Sequence, residues 1–113
     1  MGIFDIFKKK DKQVDIFSED VKQIKLNTSN IDVLITYAKP NEKVVKRLEE
    51  IKTKLQYLSP SNKENVYEMD KKIFDYIYQM KEDFRQMSNT QDFWDADKQI
   101  RDLEVLIDER NAN

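Results

Sequence analysis

The sequence has no cysteine and no histidine, and it contains one glycine and two prolines in 113 residues. Without cysteine or histidine, the chain has no disulfide, no thiol chemistry, no zinc site of the Cys/His type and no Ser-His-Asp triad. The single glycine, Gly2, lies in no glycine-rich phosphate loop. We therefore expect no catalytic residues, no bound cofactor and no metal site, and hence a protein that is not an enzyme.

Long hydrophobic runs are also missing. No segment approaches the roughly 18 consecutive apolar residues that a membrane-spanning helix needs. The N-terminus does not have the order of a secretory signal peptide, because its lysines follow a short apolar stretch instead of preceding a long one. Ile6 stands where an N-myristoylation motif requires Ser or Thr. We expect the protein to be cytoplasmic.

Charged residues are abundant but unevenly distributed. They make up 37% of the chain and give a net charge of −2. Residues 1–13 have a net charge of +2, residues 14–87 are neutral and residues 88–113 have a net charge of −4. Lysine outnumbers arginine 16 to 4. Because arginine is the preferred residue for bidentate contacts to bases and phosphates, we expect no specific nucleic-acid binding.

The clearest structural pattern is an apolar repeat that predicts a helix from Asn62 to about Ser88. Ser61 or Asn62 is the expected N-cap, directly after Pro60. Apolar residues recur every three or four positions and share one helix face, namely Val66, Met69, Ile73, Ile77, Met80, Phe84 and Met87.

Two flanking segments repeat this pattern. Residues 41–58 have Asn41 as the expected cap and an apolar stripe of Val44, Leu48, Ile51, Leu55 and Leu58. Residues 90–110 have Thr90 as the expected cap and a stripe of Phe93, Ala96, Ile100, Leu103 and Ile107. Both segments are predicted to be amphipathic helices.

Residues 18–39 fit two patterns. Ser18 could cap a helix, whereas alternating apolar residues on both sides of Asn27–Asn30 would fit a hairpin. We favour a helix, with a break near Asn27–Asn30, because the turn lacks Asn-Gly or Asp-Gly and an isolated hairpin is marginally stable. The predicted fold is an all-α antiparallel bundle of three long helices plus this fourth one. The bundle domain covers residues 18–110, and residues 1–17 form a flexible basic and apolar tail with a linker.

The N-terminal tail combines apolar and basic side chains. Four large apolar residues precede four lysines, in the order Ile3, Phe4, Ile6, Phe7, Lys8, Lys9, Lys10 and Lys12. This pattern is typical of an interfacial anchor on an anionic membrane, and over about ten residues it resembles the amphipathic N-terminal anchor of the bacterial glucose-specific IIA phosphotransferase proteins. The alternatives are a protein-binding segment, a flap over the open end of the bundle or a disordered tail.

The helix predicted at residues 62–88 has a second apolar flank. Tyr67, Phe74 and Tyr78 lie about 100–140° from the main stripe on a helical wheel. We favour core packing for this flank, since a central helix contacts neighbours on two sides. The alternative is an exposed surface that binds a protein partner or a second copy of the chain.

The acidic residues give no clear metal or catalytic motif. Asp92, Asp95 and Asp97 lack the glycine and the distal glutamate of a calcium-binding loop. Most other acids fall on polar helix faces, where we expect ordinary pKa values and no catalytic role. Trp94 lies beside the predicted core stripe, and we expect it to pack there.

Three functions remain open. The first is a non-catalytic cytoplasmic helical-bundle protein that mediates protein–protein interaction, with a protein partner or by self-association. The second is a peripheral membrane protein that residues 2–12 attach weakly to anionic lipid. The third is a small acidic inhibitor or immunity-type protein that uses residues 90–110. Bacteriocin immunity proteins are also small helical bundles, but no motif here matches theirs. The Lys-, Asp-, Ile- and Asn-rich composition suggests a bacterial or phage source.

Overall fold

The computed structural model describes the backbone of residues 2–113 and the side chains of residues 16–113. This part of the chain forms four helices and no strand: α1 (Gly2–Ala38), α2 (Glu42–Gln56), α3 (Glu64–Thr90) and α4 (Ala96–Asn111). The predicted all-α bundle is therefore confirmed. The tail residues that the sequence singled out as a membrane or partner segment lie outside the described side chains, namely Ile3, Phe4, Ile6, Phe7, Lys8, Lys9, Lys10 and Lys12.

Helix α1 runs without interruption through Asn27–Asn30, so both the hairpin and the break are wrong. The polar residues in this stretch have partners that keep the helix intact. The hydroxyl of Thr28 donates to the carbonyl of Ile24 at 2.9 Å, and the Asn27 side-chain amide donates to the carbonyl of Asp70 at 3.0 Å. A buried asparagine with such a partner does not need to leave the helix.

The four helices form a bundle with one helix at each corner of its cross-section. Helix α1 packs against α2 and α3, and α4 packs against the same two helices. Thus α2 and α3 lie across the diagonal, although short connections predict that sequential helices are neighbours. The connection between α2 and α3 crosses the end of the bundle, because the backbone N–H of Ser61 donates to Asp20 of α1 at 2.8 Å and the carbonyl of Ser59 accepts from Arg110 of α4 at 2.7 Å.

The predicted stripes form most of the core. The innermost side chains of α2, α3 and α4 are buried as expected, with Leu48, Ile73, Phe84 and Leu103 fully inaccessible. One position on α3 differs, since Met69 is only partly buried and its neighbour Asp70 is fully buried. A hydrophobic stripe therefore positions these helices, and polar residues interrupt it at one end.

The helix ends differ in detail from the expected ones. Asn41 caps α2 as predicted, since its side-chain oxygen accepts from the N–H of Val44 at 3.3 Å. Helix α3 begins at Glu64 instead of Asn62, and it extends through Thr90, so Thr90 does not cap the last helix. Gln91 ends α3 in the left-handed region at φ 55° and ψ 27°. The N–H of the following Asp92 donates to Met87 at 3.1 Å, which completes a Schellman-type end.

Candidate functional site

The three aromatic residues predicted as a partner surface lie together outside the main core. Tyr78 is 62% exposed, whereas Tyr67 and Phe74 are partly buried. The rings of Phe74 and Tyr78 have their centroids 6.1 Å apart at an angle of 30°. The favoured expectation of core packing thus does not apply to Tyr78, and it applies only in part to the other two.

Lysine side chains lie over two of these rings. The ammonium of Lys71 is 4.8 Å from the ring centre of Tyr67, and that of Lys81 is 5.1 Å from the ring centre of Tyr78. Lys71 also pairs with Glu68 at 2.8 Å. Lys81 forms no ion pair with the described side chains, and it donates only to the side-chain oxygen of Asn30 at 3.3 Å. Its charge is therefore available to an acidic group of a partner.

The edge of α1 extends this surface. The contact from Lys81 to Asn30 shows that this side of α3 is next to α1. Leu26 lies one helical turn before Asn30 on the same edge of α1, and it is 47% exposed. We call Leu26, Tyr67, Phe74 and Tyr78 the aromatic face. The sequence pattern did not single out Leu26, because the periodicity of α3 does not show which helix lies beside it.

A buried polar cluster lies at the end of the bundle where α1, α3 and α4 meet. Asp20 and Asp70 are 0% exposed and Arg110 is 7% exposed. The Arg110 Nε donates to Asp70 Oδ1 at 3.0 Å, and its Nη2 lies 3.5 Å from Asp20 Oδ2. One guanidinium thus serves two carboxyl groups from two other helices, which we call the Arg110 cluster.

The Arg110 cluster has two carboxyl groups but only one guanidinium. Burial is the largest cause, and together with a hydrogen bond with Asp20 it raises the pKa of Asp70 to about 7, although the guanidinium of Arg110 acts to lower it. The expectation of ordinary pKa values for the acids is therefore wrong at Asp70. The sequence did contain a signal, since Asp70 is four residues after Val66 and three before Ile73 and so occupies a position of the apolar stripe. Both acids are inaccessible, and their contacts with Arg110 join α1, α3 and α4.

Trp94, like Tyr78, does not pack in the core as expected. It lies in the connection between α3 and α4 and is 76% exposed, whereas the adjacent Phe93 packs edge-to-face on Phe84 with ring centres 6.4 Å apart. The connection uses Phe93 to complete the core and leaves the indole of Trp94 outside it.

Two further properties concern the described residues only. No group of three or more acidic side chains among them is arranged to hold a metal ion. None of the helices in this part of the chain is both long enough and apolar enough to span a membrane.

Comparison with known proteins adds no functional information. The sequence matches no protein-family model, and neither the curated proteins nor the solved structures contain a match to the chain.

Proposed function

We propose that this protein is a non-catalytic helical-bundle protein that binds another protein through the aromatic face. The observation that carries the proposal is the exposure of Tyr78 beside Phe74, on a helix whose inner side is already filled. Ile73 and Ile77 complete the core on that inner side and are fully inaccessible. The exposed ring of Tyr78 is therefore not needed to close the bundle.

The chemistry of the aromatic face indicates what kind of partner it fits. Aromatic residues are enriched in protein interfaces because they bury a large area at a low cost in side-chain entropy. Lys81 lies over the Tyr78 ring without a carboxylate partner among the described side chains. A partner segment with apolar side chains and one acidic group would pack on the rings and pair with Lys81.

Two tyrosines provide a matched test. Tyr78→Ser removes the most exposed aromatic ring of the face, and Tyr57→Ser removes a tyrosine that is 83% exposed at the end of α2. Partners captured by the wild-type protein are purified and titrated against all three proteins. We expect Tyr78→Ser to weaken binding about 30-fold, which corresponds to a hot-spot loss of about 2 kcal/mol, and Tyr57→Ser to leave it unchanged. Equal affinities for all three proteins would refute the proposal.

Self-association is tested with the same variants. Sedimentation velocity at two protein concentrations shows whether the wild-type chain forms dimers. If it does, and Tyr78→Ser abolishes the dimer while Tyr57→Ser does not, the partner is a second copy of this chain.

We also propose a second function, weak attachment to a membrane, which rests on residues 2–12 alone. Four large apolar residues followed by four lysines suit reversible binding to anionic lipid. In a flotation assay with anionic vesicles, we expect the full chain to float and a chain without residues 1–12 to remain in the dense fraction. Identical behaviour of the two chains would exclude this attachment.

A further inference from the structure

An open cleft lies where α3 passes into α4, at the opposite end of the bundle from the Arg110 cluster. Its volume is about 300 Å³. It is lined by Trp94 and Asp95 of the connection, by Gln99 of α4 and by four residues of α3, namely Asp83, Gln86, Met87 and Thr90. This volume is at the lower end of the range for small-ligand sites. We call this feature the Trp94 cleft.

Two carboxylates are held in place in the cleft by one amide group. The Gln99 Nε2 donates to Asp83 Oδ2 at 3.0 Å and to Asp95 Oδ2 at 2.9 Å. Within the described part of the chain, neither aspartate forms an ion pair with a lysine or arginine. The cleft therefore holds two neighbouring negative charges with no positive charge from its own bundle paired to either of them.

Gln99 gives a second and independent observation. It lines the cleft and is only 8% exposed, and its Oε1 has no hydrogen-bond partner. The two carboxylates fix the orientation of the amide, because only the NH₂ group can donate to them. The Gln99 Oε1 is therefore a buried acceptor without a donor, which is unfavourable. The side-chain amide of Gln86, which also lines the cleft, donates to Glu82 instead.

Trp94 adds an aromatic wall. Its indole is 76% exposed beside Asp95, in a chain that has a single tryptophan. An indole ring attracts cations more strongly than the other aromatic side chains do. Carboxylates, an unsatisfied acceptor and an exposed indole all favour the same kind of ligand, which is a cation with several N–H donors.

We propose that the Trp94 cleft binds the guanidinium group of an arginine side chain on a partner protein. Arginine suits these features better than lysine for two reasons. Its planar fork can donate to both carboxylates at once, and its flat face stacks on an indole ring. A lysine ammonium is a compact point charge that meets one carboxylate at a time and cannot stack in this way.

This site goes beyond the proposed function, and it does not depend on the aromatic face. Asp83 contacts Gln99 of α4, whereas Lys81 contacts Asn30 of α1, so the two surfaces lie on different sides of α3. Loss of binding at one surface therefore leaves the other surface intact.

The single tryptophan makes the test direct. Trp94 fluorescence is followed while the full chain is titrated with Nα-acetyl-arginine amide, Nα-acetyl-lysine amide or Nα-acetyl-citrulline amide at constant ionic strength. Citrulline has almost the shape of arginine but carries no charge. We expect a saturable change with the arginine compound at a Kd on the order of 1 mM, binding at least threefold weaker with the lysine compound, and no saturation with citrulline. Equal responses to arginine and citrulline, or no response to arginine, would overturn the proposal.

A pair of double variants separates the site from the overall charge. Asp83→Asn with Asp95→Asn removes both carboxylates of the cleft and retains their shape. Asp75→Asn with Asp108→Asn removes the same charge from exposed positions on α3 and α4. The first double variant should weaken arginine binding at least tenfold, and the second should change it less than twofold. Similar losses in both would show that general charge attraction accounts for the response.

An arginine-containing peptide then tests the protein source of the ligand. The peptide acetyl-Gly-Arg-Gly-amide should bind at least as tightly as the single capped residue and should shift the NMR signal of the Trp94 indole N–H. Binding of the capped residue but not of the peptide would show that the cleft excludes a polypeptide and would refute a protein partner. Circular dichroism of each variant checks the fold, and if the cleft variant unfolds, the comparison of arginine with citrulline on the wild type still decides.

Discussion

Replacement of Asp70 by asparagine should remove a pH dependence that the Arg110 cluster imposes on stability. In the folded protein, burial and the neighbouring Asp20 raise the pKa of Asp70 to about 7 from an ordinary value of 3.8. Between these two pH values the folded state holds a proton that the unfolded state has released. Stability therefore falls as the pH rises through this window, because proton binding favours the folded state only while Asp70 is protonated.

The size of the effect follows from the two pKa values of Asp70. The difference between about 7 and 3.8 corresponds to a maximum of between about 4 and 5 kcal/mol of unfolding free energy, at about 1.4 kcal/mol per pKa unit. Above pH 7 the ionised cluster has two carboxylates and one guanidinium, so it contains one buried negative charge in excess. Asparagine at position 70 has nearly the same shape and can still accept from Arg110, but it carries no charge at any pH.

Urea unfolding followed by circular dichroism at pH 4 to 8 tests this reasoning. We expect the wild-type protein to lose stability across this range relative to Asp70→Asn, so that the variant is the more stable protein at pH 8. An exposed replacement on the same helix, Asp75→Asn, is the control and should parallel the wild type. Parallel curves for the wild type and Asp70→Asn would show that Asp70 is ionised in the folded protein throughout, and would refute the argument.

Three further predictions concern single side chains. Gln91 holds a left-handed conformation at φ 55°, so Gln91→Gly should stabilise the protein by about 0.5–1 kcal/mol in urea unfolding, and a loss of stability would contradict this. Phe84 is fully buried, so Phe84→Ala should destabilise the bundle by about 3–5 kcal/mol in the same assay, and a loss below about 1 kcal/mol would show that the core is not packed as described. Burial and the nearby Asp102 raise the pKa of Tyr76 to about 12, so an absorbance titration should show one tyrosine ionising last, and Tyr76→Phe should remove that step.

The hydrophobic pattern predicted the helical elements well, because burial along one helix face is a local and periodic property. The stripes on α2, α3 and α4 become the core, and Asn41 caps α2 as its position after Pro40 suggested. The same pattern did not predict the Arg110 cluster. A charged side chain at a stripe position is compatible with burial only if a partner is present, and here Arg110 is 40 residues from Asp70 and 90 residues from Asp20.

For the candidate surfaces as well, local periodicity predicted which residues share a helix face, and packing between distant segments decided which of them are exposed. The periodicity of α3 showed that Tyr67, Phe74 and Tyr78 form a flank, but the side on which α1 packs decides how much of it stays exposed. In the connection from α3 to α4, the sequence placed Phe93 and Trp94 side by side. After the Schellman-type end at Gln91, Phe93 packs on Phe84 in the core, whereas Trp94 lines a cleft.

Residue types and apolar periodicity were sufficient to predict a helical bundle without cysteine or histidine chemistry. The remaining features depend on how the helices pack. Packing placed α2 and α3 across a diagonal, it buried two aspartates around one arginine, and it brought Asp83 and Asp95 to the same glutamine. Each of these arrangements depends on electrostatic and hydrogen-bond partners from distant parts of the chain, and such partners become neighbours only when the helices pack.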